Sequence, residues 1–200
     1  EFLDTKFNII DTPGSDDFVG GVYSAFSVAE NGILLVNATQ GVEVGTEIFA
    51  RHAVKHQKPL IIAVNQLDNE KQDWQATIDS LKATFGNKVV LVQYPVNPGP
   101  DFDTFIDVLK MKMYKFKDEN GTRESFEIPD EYKEEALALQ QQLVEMAAEN
   151  DETLMETFFD KGVLTEDEIR AGMKAGMQMG DILPVFCLSA KKDIGVKRIM

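Results

Sequence analysis

The sequence predicts an α/β fold, a doubly wound parallel sheet interrupted by a smaller α+β unit. Three observations predict it. Apolar strand-like runs alternate with helical segments over roughly the first 87 residues, the middle of the chain changes to strands followed by helices, and an apolar strand run, "DILPVFCLSA" (181–190), returns near the end. Alternation with short links suits a parallel sheet, in which each crossover carries the chain back along the sheet face. In such sheets ligands lie at the carboxyl ends of the strands.

In chain order, "KFNIID" (6–11) reads as a strand, the second arm of a hairpin turning at Asp4-Thr5. In "FVGGVYSAFSVA" (18–29), Phe18, Val22, Phe26 and Ala29 recur at helical spacing. "GILLVNA" (32–38) and "PLIIAVN" (59–65) are unbroken apolar runs suited to strands buried on both faces. Between them "GTEIFARHAVKHQ" (45–57) is helical, and "DWQATIDSLKATFG" (73–86) is a helix closed by Gly86. The runs 88–96, 104–109 and 111–117 read as strands, and Asn120-Gly121 is a hairpin signal before 122–128. From Glu131 to Glu149 the pattern is helical, with Tyr132, Ala136, Leu139, Leu143 and Met146 on one face. Thr165 and Glu168 form a capping box for a further helix.

Composition narrows the function. With 44% hydrophobic and 27% charged residues the chain can bury a real core. No apolar run approaches the roughly 20 residues that span a bilayer, so no membrane is expected as a partner and the cytoplasm is the expected location. Cys187, the single cysteine, is expected to be a buried reduced thiol. The net charge of −14 is concentrated: residues 118–170 hold 17 Asp and Glu against 4 Lys and Arg. Such a patch repels nucleic acid and suits either a basic protein partner or a solvated helical surface. The chain opens without an initiating Met and stops in what reads as a starting helix, so a fragment of a longer protein is expected.

Three turns carry the chemistry. In "NQLD" (65–68), the Asp68 carboxylate can accept the two adjacent donors of a guanine edge, N1–H and the 2-amino group. Adenine lacks both donors and would leave the charge unpaired. Asn65 can accept and donate toward the base and neighbouring loops. In "DTPG", Asp11 at a strand end can reach Mg²⁺ through its water shell, while Gly14 lets a backbone N–H approach a terminal phosphate. In "LSAK" (188–191), the Ala190 N–H suits guanine O6. Each turn alone is a weak signal, for which an ordinary surface loop is the commoner reading. His52 and His56, at i and i+4, lack an apparent third metal ligand, and Trp74, Phe85 and the methionines 111, 113, 173, 177 and 179 read as packing residues.

The order DTPG, NQLD, SAK resembles the third, fourth and fifth guanine-nucleotide motifs of the GTPases. "NATQGV", the long segment before the Ser-Ala loop, and "EIPDEYKEEA" and "VEMAAENDETLME" narrow the resemblance to translational GTPases of the elongation factor G kind. The resemblance implies an incomplete P-loop-NTPase-type doubly wound sheet with an inserted α+β G′ domain. The GTPase domain would span 1–87 and 184–200 and the insert 88–183. It implies a nucleotide site of Asp11, Thr12, Pro13, Gly14, Asn65, Gln66, Asp68, Ser189 and Ala190. GTP or GDP and Mg²⁺ would be bound by the full-length protein, with Asp11 as the metal residue. It also implies a ribosomal setting, with tRNA and mRNA engaged indirectly. Glu145, Glu149 and Glu152 match the acidic positions that face the stalk protein of the large ribosomal subunit; a plain solvated face is the other reading. On a helical wheel the three lie about 200–260° from Tyr132, opposite the apolar direction, unless Asn150-Asp151 breaks the helix.

Departures from the family pattern matter for mechanism. Ser15 stands where the family ordinarily has a His that orients the attacking water, which implies slow or absent hydrolysis. Asp16 and Asp17 are expected to be solvated turn residues or helix caps. Gln66 replaces the usual Lys, and Gly20-Gly21 weakens the following helix by roughly 1 kcal/mol each relative to Ala. The Gly-rich phosphate loop and first switch are expected upstream of Glu1, so these 200 residues alone are expected to bind little or no nucleotide and to be inactive. A nucleotide-gated, non-hydrolysing ribosome-binding factor and a tetracycline-protection-type ribosomal factor are the alternatives.

Overall fold

A computed structural model of the chain describes residues 4–118 and 121–199. A parallel sheet forms from the buried apolar runs β1 (Gly32–Asn37), β2 (Leu60–Asn65), β3 (Val89–Leu91) and β8 (Leu183–Cys187), in the order β1-β2-β8-β3. An antiparallel sheet, β4-β5-β6-β7, comprises Gln93–Pro95, Thr104–Asp107, Lys112–Phe116 and Arg123–Phe126.

The helices of the parallel half are α1 (Val19–Val28), α2 (Val44–Lys55) and α3 (Trp74–Phe85). Helix α3 starts where the Asp73 carboxylate accepts from the Ala76 N–H at 2.9 Å and stops at Gly86, whose φ of +67° suits glycine. Helices α4 (Asp130–Glu149), α5 (Glu152–Lys161) and α6 (Glu166–Met179) follow the antiparallel sheet, and the short α7 (Val196–Ile199) follows β8. The expected capping box starts α6: Thr165 N–H donates to Glu168 Oε2 at 2.7 Å, and Glu168 N–H donates to Thr165 Oγ1 at 3.3 Å. Helices α4 and α6 meet where Gly172 faces Ala147; a Cβ on Gly172 would lie 2.2 Å from the Ala147 carbonyl oxygen. One apolar core fills the parallel sheet and its helices, around Ile62, Val64, Leu67 and Leu81. A second, around Ile106, Leu143 and Ala147, joins the antiparallel sheet to α4 and α6.

Several elements differ from the sequence reading. Residues 6–11 form no strand. An extended segment becomes a strand only by sharing a ladder, and Phe7, Ile9 and Ile10 instead stand 40%, 78% and 52% exposed. The hairpin arm before Asp4 and the turn residue Asn120 lie outside the described residues. The run 88–96 serves both sheets: Val89–Leu91 pairs in parallel with Leu183–Val185, and Gln93–Pro95 pairs antiparallel with Phe105–Asp107. The first of these pieces, expected on the insert side of the division at residue 88, is thus part of the parallel sheet. Met179 is 63% exposed rather than packed, whereas Met173 and Cys187 are buried.

Candidate functional site

Strands β1, β2 and β8 run parallel, so Asn37, Asn65 and Cys187 end at one edge of the sheet. After Asn65 the chain turns sharply through Gln66, whose φ of +65° is left-handed. Leu67 then plugs the turn into the core at 0% exposure. Its N–H donates to the Leu188 carbonyl at 3.4 Å, and its own carbonyl accepts from the Gly99 N–H at 2.7 Å.

The loop after β8 is fixed as tightly. Leu188 N–H donates to the Val64 carbonyl at 3.0 Å, while Ser189 and Ile194 exchange backbone bonds of 3.1 and 3.0 Å. Gly195, at φ +80°, closes the loop base. A Cβ there would stand 2.2 Å from the Cys187 carbonyl oxygen, so the closure needs glycine. Ser189 is fully buried, and its Oγ accepts from the Lys192 N–H at 3.2 Å.

The two turns meet at one bond: Ala190 N–H donates to Asn65 Oδ1 at 2.9 Å. Beside it opens a cleft of about 560 Å³ lined by Asn65, Gln66, Asp68, Asn69, Glu70, Pro100 and Lys191. Asp68 is half-buried there, and its carboxylate takes no hydrogen bond from the described residues. A sheltered carboxylate of this kind is satisfied by two parallel donors on a ligand. The Lys192 ammonium donates to the Pro100 carbonyl at 2.5 Å and holds the 98–100 segment against the loop.

The remaining sequence-predicted residues fall elsewhere. Asp11, Pro13, Gly14 and Ser15 are exposed, Thr12 is half-buried, and all lie in irregular chain just before α1. Pro13 sits 3.9 Å from the place a Cβ on Gly21 would take, against the start of α1. Among the described residues no hydrogen bond joins Asp11–Gly14 to Asn65–Asp68 or Ser189–Ala190. Two of the three expected turns are therefore joined by a hydrogen bond, and the third makes none to them among the described residues. Asp17 is exposed, and α1 starts from Phe18 without a side-chain cap. Among the described residues no group of three His, Cys, Asp or Glu is arranged to hold a metal. The described residues do not assemble a phosphate and metal cradle.

Glu145 and Glu149 are exposed on α4, and Glu145 Oε1 accepts from Gln141 Nε2 at 2.9 Å. The helix ends at Glu149. The Asp151 carboxylate accepts from the Leu154 N–H at 3.1 Å and starts α5, so Glu152 opens a separate helix rather than continuing the α4 stripe.

Sequence reasoning missed Lys191 and the 98–100 segment as cleft walls. Lys191 follows the Ser-Ala pair directly, and Pro98-Gly99-Pro100 is a visible turn signal, but its bond to Leu67 spans two elements and leaves no local trace.

A parallel α/β sheet whose carboxyl edge carries a cleft, with an Asn-x-x-Asp turn bonded to a Ser-Ala loop, defines a nucleotide-binding class of domain. Comparison with known proteins is more specific. Over residues 2–200 the chain matches the family described as the elongation factor Tu GTP binding domain, and it belongs to that family. It is 33% identical over 200 residues to an elongation factor G-like protein of Thermotoga maritima, covering 100% of this chain and 28% of that protein. A crystal structure of a Thermus thermophilus protein superposes with a TM-score of 0.84 at 29% identity, covering 94% of this chain and 28% of the other. The chain thus spans well under a third of the length of these relatives.

Proposed function

We propose that this chain is the guanine-recognising part of a translational GTPase of the elongation factor G kind, working on the ribosome in the movement of tRNA and mRNA. The bond from Ala190 N–H to Asn65 Oδ1 carries this reading, because it draws the two base-reading turns around Asp68, whose carboxylate takes no hydrogen bond from the described residues. Asp68 accepts from guanine N1–H and the 2-amino group. Asn65 holds the Ser189–Ala190 loop in place, and the Ala190 N–H is shared between Asn65 and guanine O6 once a base is bound. Gln66 covers the base from its exposed position without adding charge. Residues 1–87 and 184–200 make up the GTPase part and 88–183 the G′ insert, with the strand run 88–96 crossing between them.

In the full-length protein Asp11, Thr12, Pro13 and Gly14 face the phosphates. A magnesium ion held through water by Asp11 would neutralise phosphate charge there. Ser15 is exposed beside this turn. A hydroxyl cannot become a cation near the γ-phosphate as an imidazole can, and loss of such a group lowers rates by about 10²–10⁴. The factor therefore hydrolyses GTP slowly or not at all and works chiefly as a nucleotide-gated ribosome binder.

Single-turnover GTP hydrolysis by the full-length protein on ribosomes tests this. A Ser15→His variant is expected to gain about 10²-fold or more. A fast wild-type rate, unchanged by that substitution, would show that another group positions the water.

A further inference from the structure

We infer that Gln93 and Asp107, two buried polar residues of the antiparallel sheet, are positioning residues for the Ser189–Ala190 loop and couple that sheet to base release. They are cross-strand partners, Gln93 on β4 and Asp107 on β5, and both are fully buried. Each holds one end of the loop. Gln93 Oε1 accepts from the Cys187 N–H at 3.1 Å, immediately before it. Asp107 Oδ2 accepts from Arg198 Nε at 2.7 Å, just after it, and forms an ion pair with Arg198 Nη2, also at 2.7 Å. One rung of one sheet thus grips both stems of a loop that belongs to the other sheet.

The local topology explains why side chains are needed. Strand β3 pairs with β8 only as far as Leu91 opposite Val185, and the Val92 N–H makes one more bond to the Val185 carbonyl at 3.1 Å. The chain then leaves for the antiparallel sheet, and the Cys187 N–H is served by the Gln93 side chain in place of a backbone neighbour. Packing alone does not account for this choice. Gln93 Nε2 is buried with no hydrogen-bond partner, a defect that a Met or Leu of similar bulk would avoid. A buried ion pair likewise adds little stability over an apolar pair of the same size; what it adds is a fixed geometry. Asp107 is itself fixed, since its Oδ1 accepts from the Lys110 N–H at 2.9 Å. Any tilt of β4 and β5 relative to β8 therefore moves Cys187 and Arg198 together, and with them the Ala190 N–H that meets Asn65.

The loop tether stands independently of the guanine reading; only its effect on base release rests on that reading. Both are tested in the full-length protein with two separate variants, Gln93→Met and Arg198→Ala, by amide hydrogen exchange and by the release rate of GDP. Exchange over 188–195 is expected to rise about tenfold or more in each variant while β1 and β2 stay protected. GDP release is expected to quicken about tenfold, and Arg198→Lys, which retains one charged donor, should recover part of both effects. Unchanged loop protection in the folded variants overturns the tether, as does an equal rise in β1 and β2. A loosened loop with unaltered GDP release overturns the coupling. A wild-type protein that binds no GDP sinks the guanine reading, and the exchange result then decides the tether alone.

Discussion

At Asp68 the cleft offers two carboxylate oxygens that take no hydrogen bond from the described residues, half-sheltered beside Asn65 and Lys191. Replacing one oxygen by an amide NH₂ keeps the shape and inverts the hydrogen bonding at that corner. Asp68→Asn is expected to weaken GDP binding by about 10²-fold, less than a fully enclosed site would show because Asp68 is partly solvated. The same variant should gain affinity for xanthosine diphosphate, whose C2 carbonyl meets the new donor. Titration with both nucleotides checks this, and unchanged GDP affinity would mean that Asp68 does not face the base. The turns that carry Asn65, Asp68 and Ala190 were legible in the sequence as turns at the carboxyl ends of strands. The Asp107–Arg198 pair was not, because nothing in either neighbourhood announces a partner 91 positions away.

Elements were legible where their apolar pattern and their stops agreed. Strands β1, β2 and β8 are near-continuous apolar runs, and α3 and α6 carry their own caps. Residues 6–11 have strand-like composition without a ladder, and the run 88–96 divides between two sheets; pairing decides both cases, and pairing is not a local property. Helix α1 shows a further non-local feature. It carries Gly20-Gly21 and no side-chain cap, and it leans on α2 through Tyr23, whose ring stacks on His52 at 3.9 Å, with Phe26 edge-on at 5.7 Å. The His52 imidazole is held below its ordinary value of 6.5, first by burial and then by the neighbouring His56 and Lys55. The fold therefore favours the neutral ring. Its contribution is complete above the unfolded value near 6.5 and is lost as pH falls through the lower folded value. Lowering the pH from about 7.5 to 5.5 should speed amide exchange in α1, after correction for intrinsic rates, more than in α3. A His52→Gln variant should remove that pH dependence, and equal pH dependence in wild type and variant would place the sensitivity elsewhere.

At the scale of the whole molecule two features dominate: the interlocking of the two sheets through one strand run, and the uneven charge. The sequence showed where the acidity lies, in residues 118–170, but not which face it occupies. The structure buries Leu143, Val144, Ala147 and Ala148 of α4 and leaves Glu145 and Glu149 exposed on it, with Glu152 on the separate α5. We propose that Glu145 and Glu149 attract a basic surface, the large-subunit stalk protein in the ribosomal setting, with Glu152 contributing independently from α5. Exposed charges of this kind act mainly on the rate of encounter and are screened beyond about 8 Å at physiological salt. The double variant Glu145→Lys/Glu149→Lys should therefore associate with ribosomes several-fold more slowly at low salt, and its rate should vary less with ionic strength than that of the wild type. Dissociation and thermal stability should change little, because neither side chain packs in the core and the Gln141 bond to Glu145 is exposed. Glu152→Lys should add its own smaller slowing, since the break at Asn150 sets it on another helix. Stopped-flow association at two salt concentrations separates the cases: equal rates for wild type and double variant at both would make this acidic face a solvated surface and nothing more.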